Sequence, residues 1–246
     1  MDSPANIWNA FIAAFTQTAA PAVTWVEMLL SLAAAVALSI PRRSWRYFGL
    51  LATATHELGH AFAAVTSGQR LTGIRLRLDH SGTTTTYSRS RLAAAWSCFW
   101  GYPVPAMVGA AFVWCGLNGW GPAAMATSAL VLAASLVFLR NLAGFAITAA
   151  AIAGAAALGF LAPVSVVGHV AVVLGLALLV AGVRDLLKLT NVHLRRRDRL
   201  SSSDAYLLYR ATSIPSGIWI TLFTLIVTGA WLVAWQPISM ILLKGA

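Results

Sequence analysis

Charge is what this chain most lacks. Only 10% of its 246 residues are Asp, Glu, Lys or Arg, against about 25% in an ordinary soluble domain. A normally hydrated surface is therefore excluded. Acids are scarcer still, with seven in total, so few carboxylates are available for any chemistry. There are two cysteines, Cys98 and Cys115. Seventeen residues apart on one helix they would be about 25 Å from each other, too far for a disulfide. They read as small apolar residues. No basic segment opens the chain, so no cleaved signal peptide is expected. No stretch reads as a PDZ-like or nucleic-acid-binding module, and nucleic acid is not an expected partner.

What is present in quantity is apolar length, with 59% of residues hydrophobic. A helix needs about 20 mostly apolar residues to cross the hydrocarbon core. Seven blocks meet that need, at roughly 19–40, 47–66, 92–116, 122–139, 141–160, 163–183 and 214–236. The expected fold is an all-α polytopic membrane protein of about seven spans, forming a single membrane domain over 1–246 with the bilayer as its surroundings. Residues 5–18 are mildly amphipathic and suit a membrane surface. The net charge of +10 sits at the ends of apolar blocks, where Lys and Arg set orientation. One set of connections, with Arg140, carries 13 of the 17 cations and the other set four, Arg42, Arg43, Arg46 and Lys244. This bias places residues 67–91 and the basic segment 184–213 in the cytoplasm of a multi-pass cell-membrane protein.

The second block reads YFGLLATATHELGHAFAAVT. Within it stands His56-Glu57-Leu58-Gly59-His60, an H-E-x-x-H pattern. Two histidines four apart stack on one helix face and can supply two ligands to a tetrahedral Zn²⁺. Glu57, beside them, can take a proton from a water at such a centre. With five His and two Glu in the chain, the pattern would arise by chance roughly once in a thousand. Ionisable groups inside an apolar span are costly and mark function by default. A hydrogen-bonded histidine pair tying helices together is the structural alternative.

A hydrolytic zinc site takes three protein ligands and leaves one position open. Asp2 and Glu27 are remote, and Asp198 lies in the run Arg195-Arg196-Arg197-Asp198-Arg199. Asp79 and His80 suit a turn, and Asp185 has Arg184 as a neighbour to pair with. Asp204 is the leading third ligand, because it approaches the last apolar segment from the side on which His60 leaves the second. Its other reading is a helix cap, and Asp185 is next in line as ligand.

Residues 68–90 change character. Ile74, Leu76 and Leu78 alternate with Arg75 and Arg77, a strand period. Asp79-His80-Ser81-Gly82 reads as a turn, and Thr83 to Tyr87 as a return strand. A β-hairpin is expected directly after the metal-binding helix. Its edge at Ile74, Leu76 and Leu78 is a candidate substrate-binding surface, because cleavage needs an extended chain and strand addition provides one. Gly101-Tyr102-Pro103-Val104-Pro105 breaks the third block, as a cavity wall or a kink. Gly144, Gly154 and Gly159 read as close helix packing. Asn141 reads as a turn residue or an oxyanion donor, and His169 as structural.

These residues resemble the site-2 protease family of intramembrane zinc metalloproteases, in its compact actinobacterial, peptidase M50B-like branch. The likeness is carried by TATHELGHAFAAVTSGQRLTGIRL, WGYPVPAMVGAA and SSSDAYLLYRAT, and extends over most of 47–225. The resemblance implies that His56 and His60 are histidine ligands, Glu57 the general base and Asp204 the aspartate ligand. It also implies a membrane-anchored protein substrate, such as an anti-sigma factor or similar regulator, and a metal site near the cytoplasmic leaflet. Two departures stand out: Ala205 replaces a usual glycine, and Ser201 to Ser203 replace an Asn-Pro-x-Pro lead-in. They leave open a non-proteolytic metal-binding scaffold or transporter.

Overall fold

The computed structural model describes residue 9 and residues 11–244. Asp2 and the first part of the amphipathic stretch 5–18 lie outside the described residues, as do the side chains at 197–199. The chain is almost wholly helical: α1 (Trp25–Ser39), α2 (Arg42–Thr66), strands β1 (Arg70–Leu76) and β2 (Gly82–Tyr87), then α3 (Arg91–Phe99), α4 (Pro103–Leu117), α5 (Gly121–Ser135), α6 (Leu142–Leu161), α7 (Val164–Arg195), α8 (Asp204–Thr212) and α9 (Ser216–Lys244).

The seven apolar blocks resolve into four helices long and apolar enough to cross a membrane, and two bent pairs. The four are α5 with its short 3₁₀ extension, α6, α7 and α9. Counting each bent pair as one span gives up to six. The first two blocks form one such pair, α1 and α2, which meet at 90°. Pro41 stands at the junction as the N-cap of α2, where its fixed φ and missing N–H suit a helix start. The corner is clamped by Arg184, whose guanidinium donates to the Ser39 carbonyl and lies 3.8 Å from the Trp45 ring centroid. Arg184 is thus engaged with α1 and α2, and among the described residues it forms no ion pair with Asp185. The third block is the other pair, α3 and α4, bent by 45° at Gly101-Tyr102.

At the centre, α4 and α7 run antiparallel with backbones in close approach. A Cβ on Gly109 would come within 2.7 Å of the Gly175 carbonyl, and one on Gly116 within 2.6 Å of the Gly168 carbonyl. Each helix therefore presents glycines seven residues apart to its partner, a small-residue seam that lets helices pack without side chains between them. Buried Val113, Leu176, Leu178 and Leu179 fill the flanks, with Phe223 and Val227 of α9 joining the same core. The glycines named from the sequence fare differently. Gly159 packs on α5 at Ala126, Gly144 lies against Asn141, and Gly154 faces open space.

The hairpin forms where the sequence implies it, antiparallel, with a register shift between Leu71 and Gly73. Ile74 and Leu76 turn inward while Arg75 stays exposed, which is the period-two signal realised. At the turn, His80 adopts φ 66°, and Asp79 Oδ1 accepts from the Ser81 amide and hydroxyl at 3.0 and 2.6 Å. Those bonds hold the Asp79 carboxyl below the usual carboxylate range.

The outer edge of β1 is already taken. Leu139 forms a parallel bridge with Ile74, and the Arg140 amide donates to the Ile74 carbonyl at 2.9 Å. The Asn141 side chain then pairs with Leu76 like a strand residue: its Nδ2 donates to the carbonyl at 2.6 Å and its Oδ1 accepts from the amide at 3.2 Å. Asn141 is a backbone mimic in this fold.

The glycine seam yields a stability test. Gly109→Val should cost about 1–3 kcal/mol by overpacking, read as a lower melting temperature of the detergent-solubilised chain. Gly154→Ala, in open space within α6, should leave the melting temperature unchanged or raise it slightly. Equal behaviour of the two variants would count against the seam.

Candidate metal centre

Helix α2 carries His56 and His60 one turn apart, and their rings meet edge to face with centroids 4.7 Å apart. The two Nε2 atoms are 3.1 Å apart. Asp204, the first residue of α8, reaches both: its Oδ2 lies 3.2 Å from His56 Nε2 and 3.3 Å from His60 Nε2. Among the described residues these three form the one His/Cys/Asp/Glu group compact enough to hold a metal ion.

Several neighbours aim the three groups. A carbonyl can only accept, so the 2.8 Å contact between His60 Nδ1 and the Ser97 carbonyl places the ring proton on Nδ1. The Nε2 lone pair of His60 is thereby left for the centre, the usual arrangement behind a metal-bound histidine. Tyr102 stands edge-on to His56 with centroids 5.0 Å apart, and stacks in turn on Phe223. Asp204 is not the helix cap. That role falls to Ser203, whose hydroxyl accepts from the Tyr206 amide and is held by His193 Nε2 at 2.8 Å. Ser203, in place of the proline-rich lead-in, thus supplies both cap and tether, and the Asp204 carboxylate is released toward the histidines. Ala205, where glycine is usual, is fully buried.

The residues fit a divalent cation. A tetrahedral centre with bonds of about 2.05 Å has ligand atoms about 3.3 Å apart, and the three separations observed are 3.1, 3.2 and 3.3 Å. Two imidazoles and one carboxylate also form a donor set typical of zinc with an open fourth position. The break between α3 and α4 serves this space. A Cβ on Gly101 would collide with the His60 ring and come within 2.6 Å of His56 Nε2. Only glycine leaves that volume free. Gly59, inside the motif, lets α2 approach the Trp100 carbonyl, which a Cβ there would meet at 2.5 Å.

Glu57 is buried, and Oε2 accepts from the Thr84 hydroxyl at 2.6 Å. Both border a cavity of about 770 Å³ that also contains the three metal-type ligands, with Tyr102, Asp185 and Lys188 on its walls. That volume is in the range of small-molecule and peptide sites. Asp185, expected to pair with Arg184, belongs to the cavity instead.

None of Ile74, Leu76 and Leu78 lines this cavity. Ile74 and Leu76 are buried against Ala54, Ala61 and Leu139, and Leu78 is exposed beyond the end of β1. The strand that faces the site is β2, through Gly82, Thr84 and Thr86. His169 lies elsewhere, its Nδ1 bonded to the Ser165 carbonyl at 2.7 Å. The sequence reading missed Gly82, Thr84, Ser97, Gly101 as a cradle, and His193. A glycine at the break and a hydroxyl run on the return strand were the signals on offer.

A family model described as Peptidase M50B-like matches residues 29–234. Neither the curated proteins nor the solved structures contain a match to this chain.

Metal analysis of the purified chain should find about one divalent cation per chain, lost in His56→Ala and in Asp204→Ala. Gly101→Ala should lose it as well, with all three ligand residues retained. Metal retained in Asp204→Ala would move the third ligand elsewhere, with Asp185, on the wall of the same cavity, next in line.

Proposed function

The chain belongs to the Peptidase M50B-like family, and we propose that it is an intramembrane zinc endopeptidase acting on membrane-anchored proteins. The observation that carries this reading is the convergence of His56, His60 and Asp204 within 3.3 Å of one another, with Glu57 on the same cavity. A bound zinc would acidify a water and polarise a peptide carbonyl there.

The chain's own residues then divide the work. His56, His60 and Asp204 hold the cation, with Ser97 fixing the His60 tautomer. Glu57 accepts a proton from the attacking water and passes it to the leaving amine, the role of a positioned carboxylate. Tyr102 keeps the His56 ring in place.

Substrate enters extended, since a helix hides its amide bonds. Among the described residues β2 has one strand partner, β1, so its far edge is free to receive a substrate strand by β-augmentation. β1 is closed to it by Leu139, Arg140 and Asn141. An apolar span with a locally unwound stretch is the substrate form this edge suits. The cation-rich connections beside the site support a position near the cytoplasmic leaflet of the cell membrane. A trimmed regulator of the anti-sigma type is the substrate class carried by the family resemblance.

The test is Glu57→Gln in the purified full chain. Cleavage of a single-span reporter should fall by about 10²–10⁴-fold while zinc content stays unchanged. Wild type and Glu57→Gln both binding zinc and both inert would favour the non-proteolytic scaffold.

A further inference from the structure

Glu57 follows His56 on α2, so it projects about 100° around the helix from the ligand pair. Left alone, such a side chain samples many rotamers. Here its carboxylate is enclosed by one face of β2. Gly82 and Thr84 are two residues apart and share that face, the half-buried one, while Thr83 and Thr85 are exposed.

The two residues treat the two oxygens differently. The Thr84 hydroxyl is 2.6 Å from Glu57 Oε2 and 3.1 Å from the Glu57 carbonyl. A hydroxyl has one proton, and the shorter approach to a carboxylate is the stronger bond. Oε2 is therefore the anchored oxygen. Oε1 lies over Gly82, where a Cβ would come within 2.5 Å of it. Glycine at 82 is what gives that oxygen room.

We propose that Thr84 and Gly82 are positioning residues for Glu57. Thr84 anchors Oε2, and Gly82 leaves Oε1 as the oxygen that receives the proton. The strand that offers its free edge to substrate would thus also aim the base, so strand addition and proton transfer share one rigid element. The assignment rests on the reading of Glu57 as general base.

The experiment uses the full chain in detergent micelles, loaded with one equivalent of zinc. The probe is a fluorogenic reporter, an apolar single span broken by Gly-Pro with fluorophore and quencher at its ends. Thr84→Val keeps the shape and removes the hydroxyl. It should lower kcat by about 10–100-fold with KM within about twofold and zinc content unchanged. Thr84→Ser should restore most of kcat. Gly82→Ala should lower kcat in the same manner.

Wild-type kcat in Thr84→Val overturns the assignment, as does a failure of Thr84→Ser to recover. A raised KM at constant kcat, or loss of zinc, overturns it too, by making Thr84 a substrate or folding residue. If wild type cleaves and Thr84→Val cleaves equally well, the peptidase reading stands and the positioning role alone falls. If wild type and Glu57→Gln are equally inert, both fall together.

Discussion

Two imidazoles and a carboxylate share a space one ion wide, inside a chain built from apolar helices. Everything else in the structure is arranged around that crowding. Buried ionisable groups are costly unless they are paired or hold a metal. His56, His60 and Asp204 converge on one point, so a single cation can satisfy all three at once. The convergence is expensive in chain geometry. It stands beside a right-angle corner between α1 and α2 and a break of the third apolar block at Gly101. It requires α8 to begin with its first residue against α2. A conventional bundle of straight spans would need none of these features.

The supports of the centre follow the same logic. Two of the three ligand-type residues, His60 and Asp204, are positioned by neighbours on the far side from the centre. The Ser97 carbonyl can only accept, so it settles the His60 tautomer. The Ser203 hydroxyl takes the cap of α8, and His193 holds that hydroxyl. Glycines do the complementary task of removing atoms. Gly101 clears the space beside both rings, and Gly59 lets α2 approach the Trp100 carbonyl. The glycine seam between α4 and α7 gives these breaks a stiff frame to be read against, since two backbones in contact leave little room for sliding.

How much of this was legible in the sequence depends on whether a feature has a local period. The histidine pair did, because four residues are one helical turn. So did β1, whose inward Ile74 and Leu76 alternate with Arg75. Asp204 had no period and was reached through its side of the membrane, an argument about topology that left capping open until Ser203 was seen in the cap. Thr84 and Gly82 were invisible, because a run of threonines reads as strand propensity whichever face meets a carboxylate. The glycine seam was hidden for a related reason. Gly109 and Gly116 acquire meaning when set against Gly175 and Gly168, and pairing two distant helices in register is a tertiary fact. Gly154, singled out from the sequence, touches nothing. Hydropathy counted seven blocks correctly as apolar length, but length carries no direction, so the right angle at Pro41 left no trace in it.

The hairpin shows why one edge and not the other suits an incoming strand. An unpaired strand edge invites any extended chain, and two such edges beside the site would bind indiscriminately. In this fold β1 is sealed along Ile74 to Leu76, partly by true backbone at Leu139 and Arg140 and partly by the amide of Asn141 acting as backbone. Asn141 and the opening of α6 therefore serve as a cap on the sheet. What remains is β2, and its inward face is already engaged with Glu57. A chain that adds to β2 arrives at the one strand in hydrogen-bond contact with that carboxylate. Sealing one edge thus leaves a hairpin with one open edge, the edge through which the proposed substrate strand would add.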